Sequence, residues 1–312
     1  MTAVQNLAKP KGIPRRRGKL LIREYIAFYL FASPWLLGLL FFVLGPTIAS
    51  LVLSMTDYPV IVAPKWIGLS NFVAMSHDDL VWQSLKVTSL YSLGAVPLGL
   101  IFAFLVALLM NQGVRGVRVY RTIYYLPAVI TGVPVALVWM WVLNPDFGLV
   151  NNALRLIGIV GPKWLFSRVW VIPAFIVMSL WNIGAPMVIF LAGLQGIPVH
   201  LYEAAEIDGA TAWVKFWNVT VPMMSPVILF NLVMGVIGSF QTFTPAFIMT
   251  NGGPANGSLF YGLFLYDNAF RWFKMGYASA LAWLMFLIIL VMTLLVFRLT
   301  NRWVYYGGSI QE

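Results

Sequence analysis

Six stretches of this chain are long, apolar and free of Asp, Glu, Lys, Arg and His. They cover Tyr25–Ser54, Val87–Met110, Tyr124–Leu143, Val169–Leu194, Met223–Met249 and Tyr277–Phe297. A helix needs about 20 mostly apolar residues to cross the hydrocarbon core of a bilayer. Because no water is available there, the backbone must satisfy its own hydrogen bonds, which favours helices. The sequence therefore predicts an all-α, polytopic membrane protein with six spans.

The composition argues against a soluble fold. The chain is 61% hydrophobic and only 10% charged, whereas a soluble domain carries about 25% charged residues. The net charge of +10 lies mainly beside the apolar stretches, so the bilayer is the expected partner and nucleic acid is not. The absence of cysteine excludes disulfides and thiolate metal ligands. The first apolar stretch is longer than a signal-peptide core, so we expect an uncleaved first span.

The basic residues predict the orientation of the chain. If both termini are inside, the inside segments hold thirteen Lys and Arg: seven in the N-terminal tail, Arg115, Arg118, Arg121, Lys215, Arg298 and Arg302. The outside segments hold seven: Lys65, Lys86, Arg155, Lys163, Arg168, Arg271 and Lys274. The positive-inside rule then places both termini in the cytoplasm. We expect a basic cytoplasmic tail over 1–24, a six-span domain over 25–302 and a cytoplasmic C-terminal tail over 303–312.

Internal prolines are present in the second to fifth stretches, at Pro97, Pro127, Pro134, Pro173, Pro186 and Pro245. Proline removes a helical hydrogen bond and kinks a helix. In lipid, the freed carbonyl groups must face protein or a water-filled cavity. Kinks along a transport pathway and ordinary packing of a helix bundle are both compatible with this pattern.

Several kinds of chemistry are missing from the sequence. The spans contain no ionisable side chain of the kind that an ion-coupled transporter keeps at membrane depth. They also contain no hydrolytic constellation and no metal ligand set, so we assign no catalytic or metal-binding residue. No phosphate-binding loop of the G-x-x-x-x-G-K-[ST] type is present, so another chain must supply energy for pumping. The alternatives that remain are a secondary transporter, a passive pore for a small polar solute, and a membrane scaffold.

The loop over residues 196–222 is unusual because it is acidic, although the orientation places it inside. Pro198 can begin a short helix that continues to Ile207. Gly209 then permits a sharp turn before a second short helix over Ala210–Asn218. The small residues Ala204 and Ala205 would be flanked by acids, with only Lys215 available for pairing. This surface would suit docking to a groove that carries Arg or Lys, although a solvated connector is the alternative.

The spacing within the 196–222 loop resembles the EAA loop of ABC importer permeases. That spacing is Glu203-Ala204-Ala205, three residues, Gly209, nine residues, Val219, one residue and Val221-Pro222. In that family the loop is a coupling helix seated in a cleft of the ATPase subunit. The resemblance therefore implies that the ATPase-coupling residues are Glu203, Ala204, Ala205, Asp208 and Gly209.

Other motifs resemble the carbohydrate and glycerol-phosphate permeases of the same family, over about Leu20 to Arg302. They are Leu191–Gln195 with Ile197-Pro198, Thr250–Pro254, Asn144-Pro145 with Phe147-Gly148, and Gly276–Ala280. The resemblance implies a type I permease in a bacterial inner membrane. It also implies a second homologous permease, two ATP-binding subunits and an extracytoplasmic sugar-binding protein as partners. ATP and magnesium would be bound by the ATPase chains, and this chain would hold no cofactor.

Neutral polar and aromatic side chains inside the spans suggest a substrate pathway. We select six candidates: Tyr91, Trp181, Asn182, Asn231, Gln241 and Thr242. The wider set comprises Ser92, Ser179, Ser239, Trp139, Trp141, Phe240 and Phe243. Amides and stacking surfaces in uncharged spans suit a neutral mono- or oligosaccharide, and Asn182 and Gln241 rank first because an unpaired buried amide is costly. The alternative is that these groups only bond neighbouring helices or mark the membrane interface.

Overall fold

The computed structural model describes residues 17–112, 115–130, 132–300 and 303–304. Most of the predicted tails, residues 1–16 and 305–312, lie outside the described residues. The α-helices are α1 (Arg17–Gly38), α2 (Gly45–Ser54), α3 (Ser70–Ser76), α4 (Asp79–Asn111), α5 (Val117–Val129), α6 (Val133–Val142), α7 (Leu149–Leu156), α8 (Val171–Ser179), α9 (Gly184–Gln195), α10 (Val199–Ile207), α11 (Ala212–Lys215), α12 (Val221–Phe240), α13 (Tyr261–Tyr266) and α14 (Met275–Thr300).

Shorter helical turns connect several of these helices. Four segments are π-helical: Leu39–Leu44, Phe216–Thr220, Ala246–Thr250 and Asp267–Arg271. Two are 3₁₀-helical: Trp164–Phe166 and Leu180–Asn182. In the described part of the chain, extended structure is confined to β1 (Thr56–Asp57) and β2 (Lys65–Trp66), an antiparallel pair in which Thr56 lies opposite Trp66. The predicted all-α membrane fold is confirmed.

Within the described residues, four helical runs are long and apolar enough to span a membrane. They are Leu21–Ser54, Asp79–Asn111, Ala212–Phe240 and Met275–Thr300. Two further pairs qualify together: Val117–Val129 with Val133–Val142, bent by 104°, and Val171–Asn182 with Gly184–Gln195, bent by 49°. The count is therefore six if each bent pair is one span. Both bent pairs contain prolines that the sequence marked as kink sites, whereas α4 continues through Pro97 without a break.

The predicted end of the fifth span is wrong, and the short helix predicted before that span is continuous with it. The helical run extends over Ala212–Phe240 rather than Met223–Met249, so the predicted helix over Ala210–Asn218 merges with the span. Pro222 does not separate them, because it lies in the first turn of α12, directly after the π-helical turn Phe216–Thr220. A π-turn changes the hydrogen-bond spacing and thereby accommodates a residue that has no N–H to donate.

The chain divides into two compact units, residues 1–52 and 53–312. In the first unit no side chain among residues 21–52 is buried, which is typical of a helix that faces lipid or other chains. The second unit contains its own core. One cluster has Val171, Phe175 and Phe260 at its centre, and another lies around Met187 and Met224. Each of these five side chains is at most 1% exposed.

A glycine lets two of the membrane helices approach closely. Gly184 begins α9 and lies against α5, where an added Cβ would be 2.9 Å from the Cα of Tyr125 and would also meet the carbonyl oxygen of Tyr124. Small residues at such crossings allow backbones to pack in lipid. The close approach holds the bend of the α8–α9 pair against α5.

We expect Gly184→Ala to destabilise the protein by about 1–3 kcal/mol, because the new methyl group overlaps the α5 backbone. The measurement is thermal unfolding of the purified protein in detergent. Gly99→Ala is the matched control, since a Cβ at Gly99 meets nothing within 4 Å and alanine favours helix. Equal melting temperatures for the two variants would contradict the proposed close contact.

Candidate functional site

A cavity of about 740 Å³ lies among the membrane helices of the second unit, and we call it the central cavity. Its walls come from α4, the α5–α6 break, the α8–α9 break, α12 and residues 241–245. The volume falls in the range of small-molecule sites. The cavity therefore lies where four helical segments meet and where the helices are interrupted.

The α8–α9 break brings two of the predicted residues to the cavity. The chain passes through the 3₁₀ turn Leu180–Asn182 and bends by 49° before α9. Trp181 and Asn182 are both exposed and both line the cavity. The Trp181 ring is also supported edge-on by Trp139, with centroids 6.1 Å apart. The bend thus presents a braced aromatic ring and an amide at one point of the wall.

The α5–α6 break contributes backbone to the same cavity. Pro127, Ile130 and Gly132 line it, and Gly132 has a positive φ of 77°. That conformation interrupts a helix and is accessible mainly to glycine. Non-helical backbone at membrane depth is tolerated only where protein or water surrounds it, so this break is consistent with a wet cavity.

The end of α12 supplies the remaining polar groups. Gln241 is the C-cap of α12, and Thr242 follows it. Asn231 lies deeper, 5% exposed, and its amide donates to the carbonyl oxygen of Val227 at 2.9 Å. Tyr91, on α4, packs edge-on against Phe260 with centroids 5.1 Å apart. All four side chains line the cavity.

The structure therefore brings all six candidate pathway residues into one cavity. Ser179, Ser239 and Phe243 from the wider set also line it, whereas Ser92, Trp139, Trp141 and Phe240 do not. The Ser92 hydroxyl instead lies 2.7 Å from that of Ser239. Sequence reasoning missed the glycines of the wall, Gly99, Gly235 and Gly238. The spacing of Gly235 and Gly238, one helical turn apart, was the available signal.

No charged side chain lines the central cavity in the described part of the chain. Its polar groups are amides and hydroxyls, and the Asn182 and Gln241 side chains are exposed to it. Such groups both donate and accept hydrogen bonds. The cavity can therefore hold a polar, uncharged molecule that offers hydroxyl groups and an apolar face to the Trp181 ring.

The 196–222 loop forms a compact helical turn at the other end of α12. Its first helix, α10, begins after Pro198 and ends at Ile207, as predicted. Gly209 then takes a φ of 77°, and Thr211 caps α11 by accepting from the Val214 N–H. The Tyr202 hydroxyl lies 3.0 Å from the Thr220 hydroxyl. This contact ties α10 to the start of the helical run that becomes α12.

The acids of the 196–222 loop are paired unequally. Glu206 forms an ion pair with Lys215, with Oε1 and Nζ 2.5 Å apart. Glu203 and Asp208 are exposed and have no ion-pair partner among the described residues. Asp208 caps the C-terminal end of α10, where the helix dipole disfavours negative charge. The uncompensated acids are therefore available to a cationic partner.

The surface of this loop is small and apolar between the acids. Ala204 and Gly209 are exposed, and Ala205 is half-buried. Sequence reasoning missed Ile207 and Trp213, whose side chains are 86% and 69% exposed. An isolated Ile next to Asp208 in a polar loop was the signal. The exposed apolar residues and the acids together make a raised docking surface.

Comparisons with known proteins agree with this architecture. The sequence profile of the family described as binding-protein-dependent transport system inner membrane component matches residues 95–305. The chain is 43% identical over 299 residues to the probable ABC transporter permease protein YesP of Bacillus subtilis, covering 94% of this chain and 96% of YesP. It is 34% identical over 276 residues to the lactose transport system permease protein LacF of Rhizobium radiobacter, covering 86% and 92%.

A solved structure shares the fold. It is a chain of a bacterial ABC transporter involved in the import of the acidic polysaccharide alginate. The TM-score is 0.78 at 25% sequence identity, and the match covers 92% of this chain and 99% of the other. The similarity therefore extends over nearly the whole of both chains.

Proposed function

Because this chain belongs to the binding-protein-dependent transport system inner membrane components, we propose that it carries a neutral mono- or oligosaccharide along the central cavity. It is a permease subunit of a sugar ABC importer, and its relatives include permeases named for lactose and for starch degradation products. The observation that carries the proposal is the uncharged central cavity lined by amides, hydroxyls and tryptophan.

The cavity itself favours a neutral substrate. The transporter of known structure imports an acidic polysaccharide, so the charge of the substrate must be judged from this chain. A buried anion requires pairing or strong hydrogen bonds, and no Lys, Arg or His lines the cavity within the described residues. The same lack of ionisable lining argues against an ion-coupled secondary transporter.

The chain acts with partners in this proposal. A second homologous permease completes the pathway, and two ATP-binding subunits hydrolyse ATP because this sequence has no phosphate-binding loop. An extracytoplasmic binding protein delivers the sugar, in keeping with the family description. The ATPase docks on the 196–222 loop, where Glu203 and Asp208 meet cationic side chains and Ala204 permits close approach.

One continuous helix, α12, links the docking surface to the cavity. α12 has 20 residues and is therefore about 30 Å long. The Tyr202–Thr220 contact attaches α10 near its beginning, and Gln241 lies at its end. Movement of α10 with a docked ATPase therefore displaces the cavity wall. This movement drives binding or release of the sugar only if the cavity has different affinities for the sugar before and after the movement.

The proposed orientation has both termini and the 196–222 loop in the cytoplasm. Because the chain has no native cysteine, single cysteines can test it. Ser70 and Gln112 are both exposed, before and after α4. We expect a cysteine at Ser70, but not one at Gln112, to react with a membrane-impermeant thiol reagent in intact cells. The opposite labelling pattern would reverse the topology.

We expect Asn182→Ala and Gln241→Ala to impair sugar uptake, each by about fivefold to tenfold, because each removes a hydrogen bond of about 1 kcal/mol or more to the substrate. The measurement is uptake of labelled lactose and maltodextrins by cells that express the complete importer. Asn152→Ala is the control, since its exposed amide lies on α7 outside the cavity.

Membrane levels of all three variants should match the wild-type level. Unchanged uptake in both cavity variants would remove Asn182 and Gln241 from the substrate site. ATPase activity that responds only to a phosphorylated or amino-acid ligand would reject a neutral sugar as the substrate.

We expect Glu203→Lys and Gly209→Val to abolish uptake and weaken ATPase association about tenfold or more. Glu203 would lose charge-assisted bonds worth about 1.5–3 kcal/mol. Gly209 has a positive φ, where a branched residue costs about 1–3 kcal/mol. The measurements are copurification of the ATPase and sugar uptake, for variants that insert normally.

Two control variants match these changes at sites distant from the loop in sequence. Gly158→Val places the same residue at another positive φ of 78°, and Asp146→Lys reverses another exposed acid. Both should retain ATPase association. Normal association and uptake in the two loop variants would reduce the 196–222 loop to a connector.

A further inference from the structure

Four aromatic side chains form a continuous strip beyond the end of α12, and we call it the aromatic strip. Phe243 and Phe247 are stacked, with ring centroids 5.3 Å apart and planes 22° apart. Tyr266 lies 4.9 Å from Phe243 and 5.3 Å from Phe247. Phe270 lies 5.1 Å from Tyr266. Each ring is therefore in direct contact with the next.

The strip begins at the central cavity and ends at the surface. Phe243 is part of the cavity wall beside Gln241 and Thr242. Phe247 and Tyr266 are half-buried, and Phe270 is 58% exposed. A series of partly exposed rings thus runs from the cavity to the face of the protein opposite the 196–222 loop, since α12 separates the two.

The outer end of the strip lies outside the hydrocarbon layer. Arg271 forms an ion pair with Asp267 at 3.0 Å and donates to the Asn251 side-chain oxygen at 2.8 Å. Its guanidinium carbon is 5.4 Å from the centre of the Phe247 ring. Burial raises the pKa of the Asp267 carboxyl, and the positive charge of Arg271 opposes that rise. Charged groups avoid the bilayer centre, so this segment borders water.

Core packing accounts for the inner half of the strip but not for Tyr266 and Phe270. Nearby Phe175, Phe260 and Phe264 are at most 1% exposed and fill the core of this region. Phe243 and Phe247 are partly buried against that core, whereas Tyr266 is half-buried outside it and Phe270 is exposed. Arg271 braces Phe247 by a cation–π contact, and its charge is balanced by Asp267. The strip is thus a fixed series of rings whose accessibility increases outward to the exposed Phe270.

We propose that the aromatic strip is a sliding surface that passes sugar rings between the outer aqueous face and the central cavity. The inference rests on the proposed function and extends it to four residues that set the route and the preferred chain length. The C–H faces of a sugar ring stack on aromatic faces without a net charge. Because the aromatic centroids are about 5 Å apart, a sugar contacts the next ring before it leaves the previous one.

The test uses the complete importer, with its partner permease, ATPases and binding protein, in proteoliposomes. Initial uptake rates are measured for lactose and for maltodextrins of increasing length. We expect Tyr266→Ala and Phe270→Ala to lower the maximal rate about twofold to tenfold, as loss of one aromatic contact implies. The loss should grow with chain length, while the sugar concentration for half-maximal uptake changes little. Phe270→Trp should restore the rate, because it restores a stacking surface.

Trp272→Ala is the control, because Trp272 is also exposed, at 47%, but packs on Phe264 outside the strip. It should leave uptake unchanged. Normal uptake in Tyr266→Ala and Phe270→Ala would overturn the sliding surface and leave the sugar permease function standing. If the alanine variants instead lose the partner permease on purification, and Phe270→Trp does not rescue uptake, the strip is a contact between subunits and the sliding surface is overturned. A wild-type assembly whose ATPase responds only to a non-sugar ligand would overturn both proposals.

Discussion

The rest of this structure depends on the requirement that backbone polar groups in a membrane pair within the protein. A long helix without internal proline, such as α14, meets that requirement by itself. The α5–α6 and α8–α9 breaks do not, and both border the central cavity. Where a helix is interrupted, carbonyl and N–H groups lose their helical partners and need water or another polar group. The location of the cavity therefore follows from where helical pairing fails, and its polar character follows from the same cause.

The sequence predicted the all-α membrane fold well, because length and freedom from charge leave few alternatives in lipid. It placed the end of the fifth span at Met249, whereas α12 ends at Phe240, because residues 241–243 leave the helix although they carry no charge. The six candidate pathway residues line one cavity because polar side chains in apolar helices turn towards the bundle interior. The contribution of Gly132 could not be predicted, since it depends on a backbone torsion angle. Gly209 was easier to interpret, because a turn between two short helices favours glycine.

The cavity and the 196–222 loop are joined by more than one set of contacts. The ring centroids of Phe216, in the π-helical turn before α12, and Phe104 of α4 are 6.2 Å apart. The ring centroids of Phe104 and Phe190 of α9 are 5.2 Å apart. Both α4 and α9 contribute to the cavity wall. In the proposed coupling, a displaced loop acts on α4, α9 and α12 together, because a packed interior transmits movement. In the proposed importer this packing makes the pathway respond as one body to the ATPases.

The uncharged lining also determines how tightly a transported sugar can be held. A translocation site must bind its substrate well enough to accept it and weakly enough to release it. Fixed charges at membrane depth would deepen the binding of an anion or cation, whereas amides and aromatic faces give moderate, exchangeable contacts. Selectivity then belongs to the binding protein of the proposed assembly, and the permease needs only a modest difference in affinity between its two states. The ion pair between Arg271 and Asp267 likewise keeps binding at the aromatic strip weak enough for release. An unpaired guanidinium there would retain acidic sugars at the entrance.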